Sequence, residues 1–411
     1  MSPEQARAVP STTRAGRRGT VARGRWKWLD ALLHTLILSS ATITFAACSG
    51  GESVSEPILA PDGINELDEA ETPGAALVAP TLIPAVTYDG SGQIVHPDVA
   101  VFPGRWQGKR YWIAATPYPG GNPKYENPSI YQGESSREMT VPAGVTNPIV
   151  APPSFGYMSD PDIVHDAERD ELRMYYRQTT GENDQLFLAT SRNGVQWSPA
   201  HLVVSDVRYS LISPAVVRES AASWRMWTVN AAAQGCYSLP TELVLQQRRS
   251  ADGIAWSAPE PVELRVPRRV PWHWDVQYVA AKSEYWALIA AYPQGTTCSQ
   301  SAVYFARSTD GTTWTVSPTP LLGPGEFEPI RDLVYRSSFH YHEGSDAVSV
   351  WFSGARLEGK SFRYSVASAR YPFSELLRRV SGATSTLERS ATSAASSELK
   401  TAREAFEHQF P

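Results

Sequence analysis

Short apolar runs recur along the middle of the chain, each closed by the same polar turn. "LFLAT", "LVLQQ" and "AVYFA" lead into "SRNGVQW", "SADGIAW" and "STDGTTW". Ser191, Ser250 and Ser308 open the three turns, and Trp197, Trp256 and Trp314 close them. The copies recur at about 60 residues, a period that marks a repeat architecture. Asn-Gly and Asp-Gly satisfy the positive φ of a hairpin turn, and the Ser and Asp side chains can bond the turn backbone. A turn that repeats cannot be a single active centre, so these turns read as scaffolding, with each Trp packing between neighbouring sheets.

Alignment backwards from the turns exposes two more strands per unit. The first is short and often carries Asp: "HPDVAVF" at His96, "DPDIVHD" at Asp160, "SPAVVRE" at Ser213, "WDVQYVA" at Trp274 and "RDLVYRS" at Arg331. The second is rich in aromatics: "RYWIAATPY", "ELRMYYRQT", "SWRMWTVNA", "EYWALIAAY" and "AVSVWFSGA". A third strand enters the turn and a fourth leaves it. The last unit has lost its turn, and the first keeps a degenerate one near "ESSREMTV". Five units of four strands predict an all-β, five-bladed β-propeller over residues 85–380. The last unit lacks an outer strand, which "TLIPAVTYDG" ahead of the first unit could supply and so close the ring.

Both ends differ from this body. Residues 1–47 hold seven Lys or Arg ahead of the apolar run "ALLHTLILSSATITFAAC", the layout of an export signal, too short for a spanning helix. "FAAC" is similar to the lipobox of bacterial lipoproteins, which implies lipidation at Cys48 and an envelope-anchored or secreted protein. Residues 48–84 are rich in Gly, Pro and acids and read as a flexible tether. Residues 381–411 read as a low-complexity or helical tail. Without the leader, 30 basic and 40 acidic residues remain of 37 and 42, a net charge of −10 that argues against a nucleic-acid partner. With Cys48 assigned to lipid, Cys236 and Cys298 remain at matching loops of adjacent units, and an exported protein would join them as a disulfide.

Candidate chemistry follows from the blade alignment. First strands of propeller blades line the central channel. Asp98, Asp162, Asp275 and Asp332 then converge at one mouth, with Ala215 in the remaining place. Glu126 lies on a loop at the same end, with Asn127 beside it. His96, Asp160, His273, Arg331 and Arg336 flank the aligned positions, and Trp272, Trp274, Tyr118 and Tyr125 offer faces for sugar stacking. Carboxylates and aromatics together suit an oligo- or polysaccharide. Crowded carboxylates repel, so at least one should hold its proton and serve as an acid.

The body resembles the five-bladed propeller glycoside hydrolases: family 43 arabinanases and xylosidases, and the related invertases and levansucrases. The residues that carry the likeness are "HPDV", "SDPDIV" and the Ser-x-Asp-Gly-x-x-Trp turns. The resemblance implies a glycosidase, with Asp98 as general base and Asp162 as its orienting partner. It also implies a third-blade Glu as acid, but this chain carries Ser213 and Ala215 there, leaving Glu126 as the substitute. Two alternatives stand beside hydrolysis. One is a non-catalytic surface propeller that binds glycan. In the other, the Asp ring and His273 hold a divalent cation. No cofactor is required on the first two readings; a structural calcium ion at the axis is the one expected from such oxygen ligands. His340 and His342 share a strand face and read as a surface pair.

Overall fold

The computed structural model describes residues 76–232, 235–237, 244–266 and 268–381. The leader, Cys48, the tether to residue 75 and the tail from residue 382 lie outside the described residues. Among the described residues no helix is long and apolar enough to cross a membrane.

Five sheets, antiparallel except for the short parallel pair at the outer edge of blade four, form the five blades of a propeller. The chain enters on β1 (Val78–Ile83), which pairs with the last strand, not the next one. Blade one is β2 (Ile94–Trp106), β3 (Lys109–Pro117) and β4 (Ser129–Gly133). A single bridge, Gln132 to Thr140, is all that stands for its fourth strand. Blade two is β5 (Tyr157–Asp166), β6 (Glu171–Thr179), β7 (Asn183–Ser191) and β8 (His201–Val207). Blade three is β9 (Ile212–Ser220), β10 (Ser223–Asn230), β11 (Val244–Ser250) and the short β12 (Glu260–Pro261). Blade four adds the two-residue β13 (Glu263–Leu264) to β14 (Arg269–Val279), β15 (Glu284–Pro293), β16 (Ala302–Ser308) and β17 (Thr313–Val316). Blade five is β18 (Leu333–His342), β19 (Ala347–Glu358) and β20 (Ser361–Pro372), completed by β1 and followed by α1 (Phe373–Val380).

The closing strand was expected from "TLIPAVTYDG", and β1 overlaps that stretch. It also moves the boundary of the propeller: residues 78–83, assigned above to the tether, belong to blade five. Pairing the first strand with the last covers the outer edge of β20 and gives β1 a partner, which favours this ending over an unpaired tether.

The second strands carry the core. Trp112, Trp227, Trp286 and Trp351, with Tyr175 of blade two, are almost wholly buried between sheets. The repeated turns reach across to these strands. Trp227 Nε1 and Tyr175 Oη donate to the backbone oxygens of Gly311 and Gly253, each in the following blade. Within the turn, Asp310 Oδ1 accepts from the backbone N–H groups of Thr312 and Thr313. The turns are therefore scaffolding between blades, as their repetition implied.

Candidate active site

The first strands meet at the axis through a belt of side-chain to backbone bonds. Asp98 Oδ2 accepts from Ile163 N at 2.5 Å, Asp162 Oδ2 from Val216 N at 3.2 Å, and Asp275 Oδ2 from Phe339 N at 3.2 Å. Ser338 Oγ accepts from Val99 N at 3.3 Å and closes the circle. Each bond links one blade to another at the same strand position, so the five aligned residues are Asp98, Asp162, Ala215, Asp275 and Ser338. Ala215 cannot make the bond, and Ser213 Oγ instead donates to Trp274 O, 3.3 Å away.

This register corrects one assignment. The fifth place belongs to Ser338, six residues beyond Asp332. Asp332 instead accepts from Leu357 N at 2.6 Å. Its neighbour Arg331 pairs with Glu328 and Asp332.

Two residues before each belt position lies a second layer: His96, Asp160, Ser213, His273 and Arg336. In three of these the backbone is left-handed, with φ of 55° at His96, 52° at Asp160 and 53° at Ser213. A Pro follows each of the three, and X-Pro normally holds its first residue extended. Register shifts at Val95/Asp98 and Ser159/Asp162 mark bulges there. Bulges of this kind re-aim a side chain and recur beside active sites. A left-handed non-glycine residue costs on the order of 1–3 kcal/mol, so three at equivalent places mark a constraint imposed by the surroundings.

The second layer converges on Asp160. Its Oδ1 lies 3.5 Å from His96 Nε2 and 3.5 Å from His273 Nδ1. Arg336 Nη1 stands 3.9 Å away. Asp160 Oδ1 and His96 Nε2 are buried and have no hydrogen-bond partner among the described residues. On its other edge, His96 Nδ1 is 3.4 Å from Glu126 Oε1 and 3.3 Å from Thr116 Oγ1. Glu126 ends the 3-10 turn Pro123–Tyr125. Asn127 holds that turn, donating from Nδ2 to Tyr88 Oη and Lys124 O. Asn127 is thus a support for Glu126.

Burial and charge give these groups different protonation states. Burial pushes the His96 imidazole down to about 4 and depresses His273 further, so both are neutral near pH 7. Burial would raise Asp160, but the positive charge of His96, Arg177, His273 and Arg336 outweighs it and holds the carboxyl well below the usual range. With the histidines neutral, the two guanidinium groups carry that effect. Burial and then the Asp160 charge raise Glu126 well above its ordinary value. The mouth therefore offers an ionised carboxylate, two neutral imidazoles and a carboxylic acid that keeps its proton.

The belt carboxylates behave otherwise. Burial raises all three, and the Asp98 charge adds to it at Asp162 and Asp275; Asp275 reaches about 8. One oxygen from each lies within 4.8 Å of the others. Beyond them, away from the His/Asp layer, a cavity of 530 Å³ runs along the axis past His165, Arg218, Gln277 and His340.

Buried aromatics pack around the His/Asp/Glu cluster. The Tyr335 ring lies 4.5 Å from His273 and 5.2 Å from His96. Tyr118 and Tyr364 meet edge to face at 4.7 Å, and Trp272 lies 5.5 Å from His273. Glu126 also stands near enough to Tyr157 to raise it electrostatically, after the larger effect of burial. Trp274, expected to stack on sugar, is instead core: it is buried and lies 6.2 Å from Trp314. His340 and His342 lie 4.8 Å apart on β18 but are not a surface pair: His342 is buried with Nε2 beside Ser349 Oγ, and burial lowers both imidazoles. Cys236 and Cys298 form the expected disulfide.

Sequence reasoning missed the importance of the layer two residues before the belt, although it included His96, Asp160, His273 and Arg336 as flanking groups. It missed Arg177, Tyr157, Tyr335 and Tyr364 outright. The signal for Arg177 was available: with Arg173 it is one of two arginines inside the otherwise apolar second strand "RMYYRQT" of blade two.

An all-β propeller with a buried His/Asp/Glu cluster packed among aromatics is the class that fold and site define together. No family model matches the chain. Over 309 residues, 64% of this chain, it is 31% identical to the A type blood N-acetyl-alpha-D-galactosamine deacetylase of Flavonifractor plautii. The chain spans about 40% of the length of that curated relative. The crystal structure of an N-acetylgalactosamine deacetylase from F. plautii, in complex with blood group B trisaccharide, aligns with a TM-score of 0.68 and 26% identity. That alignment covers 75% of this chain and all of the other. The catalytic domain of a Coprinopsis cinerea GH62 alpha-L-arabinofuranosidase aligns with a TM-score of 0.49 and 11% identity, over 74% of this chain and 98% of its own. The two deacetylase relatives are glycan-processing propeller enzymes.

Proposed function

We propose that this protein is a glycan N-deacetylase, hydrolysing the acetamide of an N-acetylated amino sugar. The observation that carries the reading is the Asp160 oxygen shared at 3.5 Å by His96 and His273. Two ligands of one tetrahedral cation, with bonds of about 2.1 Å, stand about 3.4 Å apart. Two imidazoles and one carboxylate are a donor set that suits zinc and similar divalent ions. The unpartnered Asp160 Oδ1 and His96 Nε2 fit such an ion. His96, Asp160 and His273 would hold it, and it would supply Lewis acidity toward the acetamide carbonyl.

The chain's own groups supply the rest. The departing amine needs a proton, and Glu126 keeps one because burial and Asp160 raise it. The neutral imidazoles leave lone pairs free near pH 7. Tyr335, Tyr118 and Tyr364 lie close enough to Glu126 to feel its charge, and their packing would limit water around the acid. The two deacetylase relatives support this choice of bond.

Glycoside hydrolysis is the second reading. One observation favours it: a protonated Glu126 and an ionised Asp160 flank the same imidazole, and glycosidases need one carboxyl in each state. A single assay separates the two. The protein is incubated with oligosaccharides ending in N-acetylgalactosamine or N-acetylglucosamine, with and without a chelator, and both acetate and new reducing ends are measured. Acetate release that chelation abolishes and Zn²⁺ restores supports deacetylation. Reducing ends without acetate overturn it in favour of a glycosidase. Retention of glycan with neither product leaves a binding module. We also propose export with lipid at Cys48, supported by the leader and lipobox-like "FAAC"; uptake of labelled fatty acid at Cys48, lost in Cys48→Ser, tests it.

A further inference from the structure

We propose that Arg177 is a positioning residue that fixes Asp160 so that only one of its oxygens faces the two histidines. The inference rests on the reading of the site just given and concerns how that site is held.

Arg177 lies on β6 directly across from Ser159 on β5. Its Nε donates to Asp160 Oδ2 at 3.1 Å and to Ser159 Oγ at 3.2 Å, and Nη2 donates to Ser159 Oγ at 2.9 Å. Ser159 Oγ in turn donates to Asp160 Oδ2 at 3.1 Å. Oδ2 thus accepts two hydrogen bonds, while Oδ1 accepts none among the described residues. The guanidinium is itself anchored. Nη1 donates to Asp184 Oδ2 at 3.3 Å, and Asp184 accepts from Thr179 Oγ1 at 2.8 Å and from Leu211 N at 3.2 Å. Leu211 immediately precedes β9, so the orientation of Asp160 is referred to the entry of blade three.

The backbone makes such a clamp necessary. Asp160 is left-handed ahead of Pro161, a conformation that persists only where its surroundings over-determine it. A planar fork can hold Ser159, Asp160 and Asp184 together; the single ammonium of a lysine cannot match those three directions. Outer partners of this kind orient a metal-binding carboxylate, and their loss typically weakens metal affinity about 10–100-fold. A merely structural ion pair would lower stability and leave the affinity of the folded protein alone.

The test uses the full chain, with Zn²⁺ as probe in competition against a chromogenic chelator. Arg177→Lys keeps the charge and loses the fork; Ser159→Ala removes one donor to Oδ2 and keeps the ion pairs. Both should bind Zn²⁺ more weakly, Arg177→Lys by about 10–100-fold. Both should lose kcat for acetate release with KM little changed. Wild-type affinity in both folded variants overturns the proposal. If Arg177→Lys fails to fold, Ser159→Ala decides alone: unchanged affinity refutes the clamp. Should the wild-type protein bind no Zn²⁺ and release no acetate, the deacetylase reading falls and this inference with it. Zn²⁺ binding that neither variant weakens removes only the role of Arg177.

Discussion

Asp160 and Asp162 stand two positions apart on one strand, and both are buried, yet they titrate in opposite directions. Asp160 faces two guanidinium groups and is held ionised. Asp162 faces Asp98 and Asp275 and is raised, despite Arg336. Glu126 and Asp98 are both raised, and what separates them is their partners. Glu126 is a protonated acid against His96, whereas Asp98 is tied to Ile163 N within the belt. Asp98 is therefore a less fitting base than the resemblance implied. Glu126→Gln should lower turnover by about 10²–10⁴-fold, the usual worth of a general acid. Because the acid acts only when protonated, wild-type activity should fall as pH rises through its raised value, and that alkaline limb should vanish in Glu126→Gln. Asp98→Asn keeps an oxygen for Ile163 N and should leave turnover nearly unchanged. The pH profiles of kcat for the three proteins check both outcomes.

At the scale of elements, the repeated turns do more than reverse the chain. Gly311 has φ of 70°, and a Cβ there would meet Arg225 Nη1 at 2.1 Å and Trp227 at 2.9 Å. Gly194 presses on Trp112 in the same way, at 2.0 Å. Glycine is needed at these turns for the left-handed backbone and for close approach to the second strand of the blade before. Gly311→Ala combines overpacking with a strained φ and should destabilise the protein by about 2–4 kcal/mol. Denaturant unfolding measures it; an unchanged midpoint would mean the turn does not tie blades three and four. The bulged first strands are the other elements that matter, since they aim His96 and Asp160 at the mouth.

For the whole molecule, the ring is closed twice, by β1 on β20 and by the Ser338–Val99 bond of the axial belt, and the Cys236–Cys298 disulfide ties blade three to blade four, where Ala215 interrupts the belt. The belt carries a cost that depends on pH. Asp275 is raised to about 8 by burial first and then by Asp98, and Asp98 and Asp162 are raised too. A carboxyl whose folded value is raised favours folding while protonated. Its contribution is full below the unfolded value near 4, and is lost as pH climbs through the folded value. The propeller should thus lose stability from Asp275 between about pH 4 and 8. Asp275→Asn preserves the acceptor for Phe339 N and removes the titration. Its Tm should fall less than wild type between pH 5.5 and pH 8.5; an equal fall would show that the belt is not the source.

The five blades were legible because they rest on local, repeated signals: a turn that needs Gly, a Trp that fills a fixed gap, and an aromatic second strand. The closing strand and the cysteine pair were legible for the same reason, since a missing strand and two matching loops can be counted. The site was legible only in its membership. His96, Asp160, His273, Glu126 and Arg336 could be gathered at one mouth. Which Asp of the pair Asp160 and Asp162 faces it could not, because two residues of alternating strand point the same way, and the left-handed bulge that separates their surroundings is imposed by neighbouring blades. Asp332 was misplaced because "RDLV" imitates the Asp-bearing openings of the other blades, while the true fifth member, Ser338, has no carboxylate to mark it. Arg177 shows no pattern with Asp160 along the chain; strand pairing brings the two together. Local chemistry thus determined the repeat and its ring, and long-range packing decided which buried groups meet and which keep their protons.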